Sequence, residues 1–219
     1  MSKTVELFWS FRSPYCYLST PQILALPKNY NVEIIVRPVL PAALRNPDFF
    51  KPENAKRVNY ILMDWQRRAE MLDLPHAWPS PDPIVQDLET LKIAQEQPYI
   101  YRLTYLGIEA QRRGRGLEFI AEVSRLIFGG TRDWHQGDHL ANATKRAGLN
   151  LADMDRAITD PQAHREQVEA NQRALEAVGH WGVPTFSFEN EPFFGQDRID
   201  SLCWRLGRAG LRRSDSSSH

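Results

Sequence analysis

Apolar and polar positions follow different periods along this chain, and the change of period divides it in three. Val5-Glu6-Leu7-Phe8-Trp9 has the apolar, aromatic character of a short buried strand, and NVEIIVRP at 31–38 repeats it until Pro38 stops it. Between them YCYLSTPQILALP (15–27) is an apolar helical segment interrupted by Pro21. Ser13 followed by Pro14 marks its start, a hydroxyl cap and then proline at the first helical position. Strand, helix and strand in this order predict a parallel crossover.

From about Pro52 to about Leu175 the strand pattern is absent. Segments 57–74, 87–95, 101–114 and 117–128 carry helical periodicity with charged outer faces, punctuated by the proline-rich LPHAWPSPDP and by Pro98. A helix over 162–179 follows, and then two short apolar runs flanking Glu189-Asn190, the pattern of a β-hairpin, with a last helix behind it. The reading is an α/β fold of order βαβ, helical block, ββα. Residues 1–50 and 176–212 form a discontinuous sheet-bearing domain, 51–175 a helical insertion and 213–219 a disordered tail.

Composition narrows the function. With 42% hydrophobic residues the chain of 219 can bury a sizeable core, and 27 basic residues against 27 acidic leave no overall field to recruit nucleic acid or an anionic membrane. The start MSKTVELFWS lacks the apolar run of a signal peptide, and no segment approaches the roughly 20 apolar residues of a membrane span, so a cytoplasmic protein is expected. The two cysteines, Cys16 and Cys203, are then expected to stay as thiols.

Ser13-Pro14-Tyr15-Cys16 has the form of a C-P-Y-C redox site whose first sulfur is replaced by oxygen. Ser13 stands where a strand gives way to a helix, where backbone N–H groups and the helix dipole favour an anion such as a thiolate. Without a base its hydroxyl is a poor nucleophile, yet it can donate a hydrogen bond; the plainer alternative is a helix cap and nothing more. Cys16, one turn into the helix, reads as a buried inert thiol, and Cys203 as a core residue of the last helix. Pro184 opens a strand, and Asp197 after Gly195 caps the last helix or accepts a ligand ammonium. His135 and His139 lack the H-E-x-x-H pattern, so no metal is expected, and RRGRG at 112–116 lacks the strand and third glycine of a dinucleotide loop.

Ser13-Pro14-Tyr15-Cys16-Tyr17-Leu18, Trp181-Gly182-Val183-Pro184-Thr185-Phe186 and Phe194-Gly195-Gln196-Asp197-Arg198 together resemble the thioredoxin-like family of kappa-class glutathione transferases and 2-hydroxychromene-2-carboxylate isomerases, relatives of the DsbA oxidoreductases. The resemblance implies a thioredoxin-like fold with a large all-helical insertion and a homodimer. It also implies glutathione as cofactor: Ser13 donates to the glutathione thiolate, a cis Val183-Pro184 bond presents the Val183 backbone to the cysteinyl unit, and Gln196 with Asp197 holds the γ-glutamyl end. The activity implied is isomerisation or transfer on an aromatic or conjugated substrate, with Tyr60, Trp65 and Trp78 roofing an apolar pocket. The segment after Arg37-Pro38 departs from the isomerases, leaving Arg45, Asn46 and Lys51 as candidate substrate contacts. A DsbA-like oxidoreductase using Cys16, or a thioredoxin-fold binding protein without catalysis, are the alternatives.

Overall fold

The structure, a computed structural model, describes residues 2–46, 55–87 and 92–214. Strand β1 (Lys3–Trp9) lies beside β2 (Val32–Pro38) in parallel, in register from Lys3 opposite Val32 to Trp9 opposite Pro38, with helix α1 (Pro14–Asn29) as the crossover. Strands β3 (Thr185–Phe188) and β4 (Glu191–Phe194) form an antiparallel hairpin whose β3 pairs with the other edge of β1, giving the order β2-β1-β3-β4. Glu189 and Asn190 turn that hairpin with φ of 53° and 66°, the left-handed pair that matches a two-residue turn to strand twist. Val5, Leu7, Phe8 and Trp9 are all fully buried, so β1 is covered on both faces.

Helices α2 (Ala42–Arg45), α3 (Ala55–Met71), α4 (Ile100–Arg112), α5 (Gly116–Phe128), α6 (His139–Arg146), α7 (Leu151–Ala157) and α8 (Gln162–Ala177) stand between β2 and β3, and α9 (Ile199–Arg208) follows β4. The sheet and these helices share one contiguous core in which Leu7 and Trp9 join Trp65, Leu103, Phe119 and Ile127. Among the described residues no helix is long and apolar enough to cross a membrane.

Three expectations need correction. Helix α1 is not interrupted at Pro21 but runs on to Asn29. Proline has no N–H to give the carbonyl of Tyr17, and the buried Thr20 hydroxyl donates to that carbonyl instead at 2.7 Å. Segment 87–95 is not helical where it is described: Asp87 N–H donates to Lys92 O at 2.9 Å, and Gln86 bridges Ile93. A nine-residue helix has too few internal bonds to persist alone. The buried Gln97 amide pairs with Val85 N–H, Val85 O and Ala94 O, which holds these two residues outside any helix. Arg213, assigned to the tail, is tied down by its N–H to Asn29 O at 2.9 Å, and residues 215–219 lie outside the described residues.

The role of Thr20 gives the first test. Thr20→Val keeps shape but strands a carbonyl inside the helix, and it should cost about 1–2 kcal/mol of stability. Urea denaturation checks this; Thr20→Ser, which keeps the hydroxyl, should lose less.

Candidate active site

The turn from β1 into α1 and the turn into β3 come together although they lie at opposite ends of the chain. Ser13 caps α1: its Oγ accepts from Cys16 N–H at 3.2 Å and donates to Val183 O at 3.3 Å. The cap forms here because Ser13 is extended (φ −92°, ψ 115°) and Pro14 needs no bond partner at the first helical position. The Val183–Pro184 bond is cis, as is Ser80–Pro81, which carried no signal in the sequence. Pro184 O accepts from Gly195 N–H at 2.9 Å, so the Gly195-Gln196-Asp197 segment is laced directly to the proline. Gly195 has φ of 103°, a backbone state that a side chain would strain.

Of the residues singled out in the sequence, Ser13, Val183, Pro184, Gln196 and Asp197 thus belong to one arch. Gln196 is buried with its side-chain oxygen accepting from Arg68 at 2.9 Å, whereas Asp197 is exposed beside Arg198, 2.9 Å away. Arg45 does not face a site. Burial lowers its pKa, and it serves as a tie, donating to Leu40 O at 2.8 Å and to Trp181 O at 2.7 Å just ahead of Val183. Asn46 ends α2, its N–H bonded to Ala42 O at 2.8 Å, and Lys51 lies outside the described residues.

Two supports escaped sequence reading. Arg12, next to Ser13, forms a two-pronged bond with Asp82 (3.0 and 2.8 Å), and its guanidinium lies 5.3 Å over Trp78. Tyr15 donates to Asp64 of α3 at 2.8 Å, and Asp64 also accepts from Arg67 at 2.8 Å. Burial, then the bond to Asp64, raises the Tyr15 pKa, so this phenol stays a neutral donor. Each pair joins the first turn of α1 to a segment roughly 50 or more residues away, a separation that no local pattern reveals.

The expected apolar roof is only partly present. Trp65 is fully buried, edge-on to Trp78 at 6.0 Å and to Phe128 at 5.9 Å. With Asn59, Leu62, Met63 and Gln66 these two tryptophans line a groove of about 350 Å³. Tyr60 stands apart from it, exposed and bonded to Arg67 at 2.9 Å.

Residues 4–207 match the DsbA-like thioredoxin domain. The chain belongs to that family. A 2-hydroxychromene-2-carboxylate isomerase of Sphingobium xenophagum is 21% identical over 206 residues, covering 92% of this chain and 97% of the relative. A solved 2-hydroxychromene-2-carboxylate isomerase superposes with a TM-score of 0.69 at 18% identity, covering 94% of this chain and 96% of that one. The cytosolic disulfide reductase DsbM of Pseudomonas aeruginosa, solved with GSH, gives 0.56 at 17% identity over 93% of this chain and 99% of that one. The fold expected from the motifs is therefore the fold observed.

Against that family background the sulfur chemistry of this chain is muted. Cys16 and Cys203 are both free thiols. Cys16 is fully buried, and desolvation pushes its pKa up to about 12 against a smaller opposing pull from the Ser10 main chain and the Ser13 hydroxyl. Burial also raises the half-buried Cys203, whose thiol meets the Tyr30 hydroxyl. Neither offers a thiolate at neutral pH, which is what attack requires.

This has a pH consequence. As pH rises from about 9 towards 12, the unfolded chain releases the Cys16 proton while the folded chain retains it. The native state then binds more protons, so this contribution to stability is intact below pH 9 and falls with rising pH. Denaturant midpoints measured across that window should decline more steeply for the wild type than for Cys16→Ala. At neutral pH a disulfide reagent should leave Cys16 unmodified in the native protein and titrate both thiols once it is denatured.

Proposed function

We propose that the chain is a glutathione-dependent enzyme, an isomerase or transferase that uses the thiolate of bound glutathione on an aromatic or conjugated substrate. The observation that carries the reading is the Ser13 hydroxyl, presented at the first turn of α1 beside Val183 O while the nearest thiol of the chain is buried and protonated. Its relatives named as isomerases support the reaction class, and the family member solved with GSH supports the ligand class.

The residues present suit such a ligand. Among the described residues Val183 N–H has no hydrogen-bond partner, and Val183 O holds only the 3.3 Å contact from Ser13. A main-chain donor and acceptor on one residue suit the backbone of an extended peptide. A peptide N–H donating to Val183 O would keep that carbonyl paired when the Ser13 hydroxyl, which donates only once, turns away from it. Ser13 would then donate its hydrogen bond to a thiolate while still accepting from Cys16 N–H, so capping and anion stabilisation coexist. Glutathione bound here would supply a sulfur nucleophile for a conjugated carbon, with Ser13 and the Val183 main chain as the groups that would hold it.

Tyr15 and Arg12 hold the Ser13 turn on both sides, and the groove at Trp65 and Trp78 provides apolar surface for a substrate. An oxidoreductase acting through Cys16 is less well supported, since that thiol is fully buried and protonated. A binding protein without catalysis would hold glutathione but turn over no conjugated acceptor.

Calorimetric titration with glutathione tests the ligand, and Ser13→Ala tests the role. The variant should bind glutathione only modestly less well but raise the pKa of the bound thiol by about one unit, or about 1.4 kcal/mol, read from the pH dependence of thiolate ultraviolet absorbance. A stability loss of about 0.5–2 kcal/mol with an unchanged thiol pKa would reduce Ser13 to a cap.

A further inference from the structure

The third group reaching this arch is Arg68 of α3, and its surroundings are unlike those of the other site arginines. Arg12 and Arg67 each meet a carboxylate, whereas among the described residues Arg68 has none within ion-pair distance. Its half-buried guanidinium donates to Gln196 Oε1 at 2.9 Å and to the Met71 sulfur at 3.2 Å, and its Nε is buried with no partner at all. Neutral acceptors offset the desolvation of a guanidinium poorly, and a buried N–H left unpaired costs more still. Asp64, on the same flank of the helix, is already engaged by Tyr15 and Arg67.

We propose that Arg68 is a carboxylate-binding residue of this site. The planar fork of an arginine matches a carboxylate two donors at a time through its Nε–Nη2 edge, the edge Arg12 turns to Asp82, and on Arg68 the Nε–H of that edge is fully unpaired. Its place identifies which carboxylate. Gln196, which holds Arg68, is flanked by Gly195, bonded to Pro184 O at 2.9 Å, and by the exposed Asp197. An α-amino acid head carries a carboxylate and an ammonium, and Arg68, bonded to the Gln196 side chain, and Asp197, the next residue along the chain, offer one partner for each. Asp197 is shared with Arg198, yet a carboxylate has lone pairs for further donors. The carboxylate bound is the α-carboxylate of a γ-glutamyl peptide thiol, an assignment that rests on the glutathione reading above. The acid group of a carboxylated aromatic substrate offers the same chemistry, and the test separates the two.

The test is a cycle of ligand and protein changes on the full chain. Glutathione and its analogue bearing an amide in place of the γ-glutamyl α-carboxylate are titrated calorimetrically into wild type, Arg68→Gln and Arg68→Lys. Wild type should prefer the acid by about tenfold or more, Arg68→Gln should bind both ligands alike, and Arg68→Lys should recover part of the preference. A merely structural Arg68 would weaken both ligands equally when replaced, and that result, or a preference preserved in Arg68→Gln, overturns the proposal. Should wild type bind no glutathione, the glutathione reading falls by itself. Quenching of tryptophan fluorescence by 2-hydroxycinnamate then decides Arg68: binding lost in Arg68→Gln and absent for the cinnamamide assigns it to a substrate carboxylate, and binding indifferent to Arg68 removes the carboxylate role.

Discussion

A single hydroxyl bridges the two turns that frame the candidate site. Ser13 Oγ accepts from the first turn of α1 and donates to a carbonyl 170 residues away, and around that contact the cis-proline turn, the Gly195–Asp197 segment and the first helix are brought into register. Everything nearby serves to hold the two turns still. Arg12 and Tyr15 anchor the serine side through Asp82 and Asp64, while Arg45 anchors the valine side through the Trp181 carbonyl. The Arg12 and Tyr15 ties are charged or charge-assisted and partly shielded from solvent, the setting in which such bonds outlast exposed ones such as that of Arg45 to Trp181 O.

The same arrangement decides where sulfur chemistry can reside. Cys16 sits one turn inside the helix that Ser13 caps, and its position beneath the cap is what desolvates it. Oxygen at the exposed position and sulfur at the buried one reverse what a self-contained redox pair requires. On the proposed reading the thiolate is brought from outside, and a main-chain donor and acceptor at Val183 and the unpaired Nε–H of Arg68 lie along one arch.

The turns that frame the candidate site were legible in the sequence because their markers are local, whereas the ligand roles of Val183, Gln196 and Asp197 came from the family resemblance. Ser13-Pro14 signals a helix start, Glu189-Asn190 signals a hairpin, and both stand where expected. What stayed hidden depends on which side chain completes a main-chain bond: Thr20 for the carbonyl that Pro21 leaves open, Gln97 for Val85 and Ala94 against an apparent helical period, and Arg45 for the Leu40 and Trp181 carbonyls. The short helices α6 and α7 were missed for another reason, since eight and seven residues give too few turns for a period to register. Arg68 lay inside a charged helical face and differs from Arg67 in having, among the described residues, no carboxylate within ion-pair distance, which becomes visible once the helix is docked.

The central claim is that the reactive sulfur comes from outside the chain. The most direct test removes both cysteines, as Cys16→Ala with Cys203→Ser, and measures thiolate absorbance at neutral pH on addition of glutathione. The account predicts that the cysteine-free protein develops the same glutathione thiolate signal as the wild type. A signal that vanishes with the two cysteines, in a protein that still folds, would place the chemistry on Cys16 or Cys203 and contradict it.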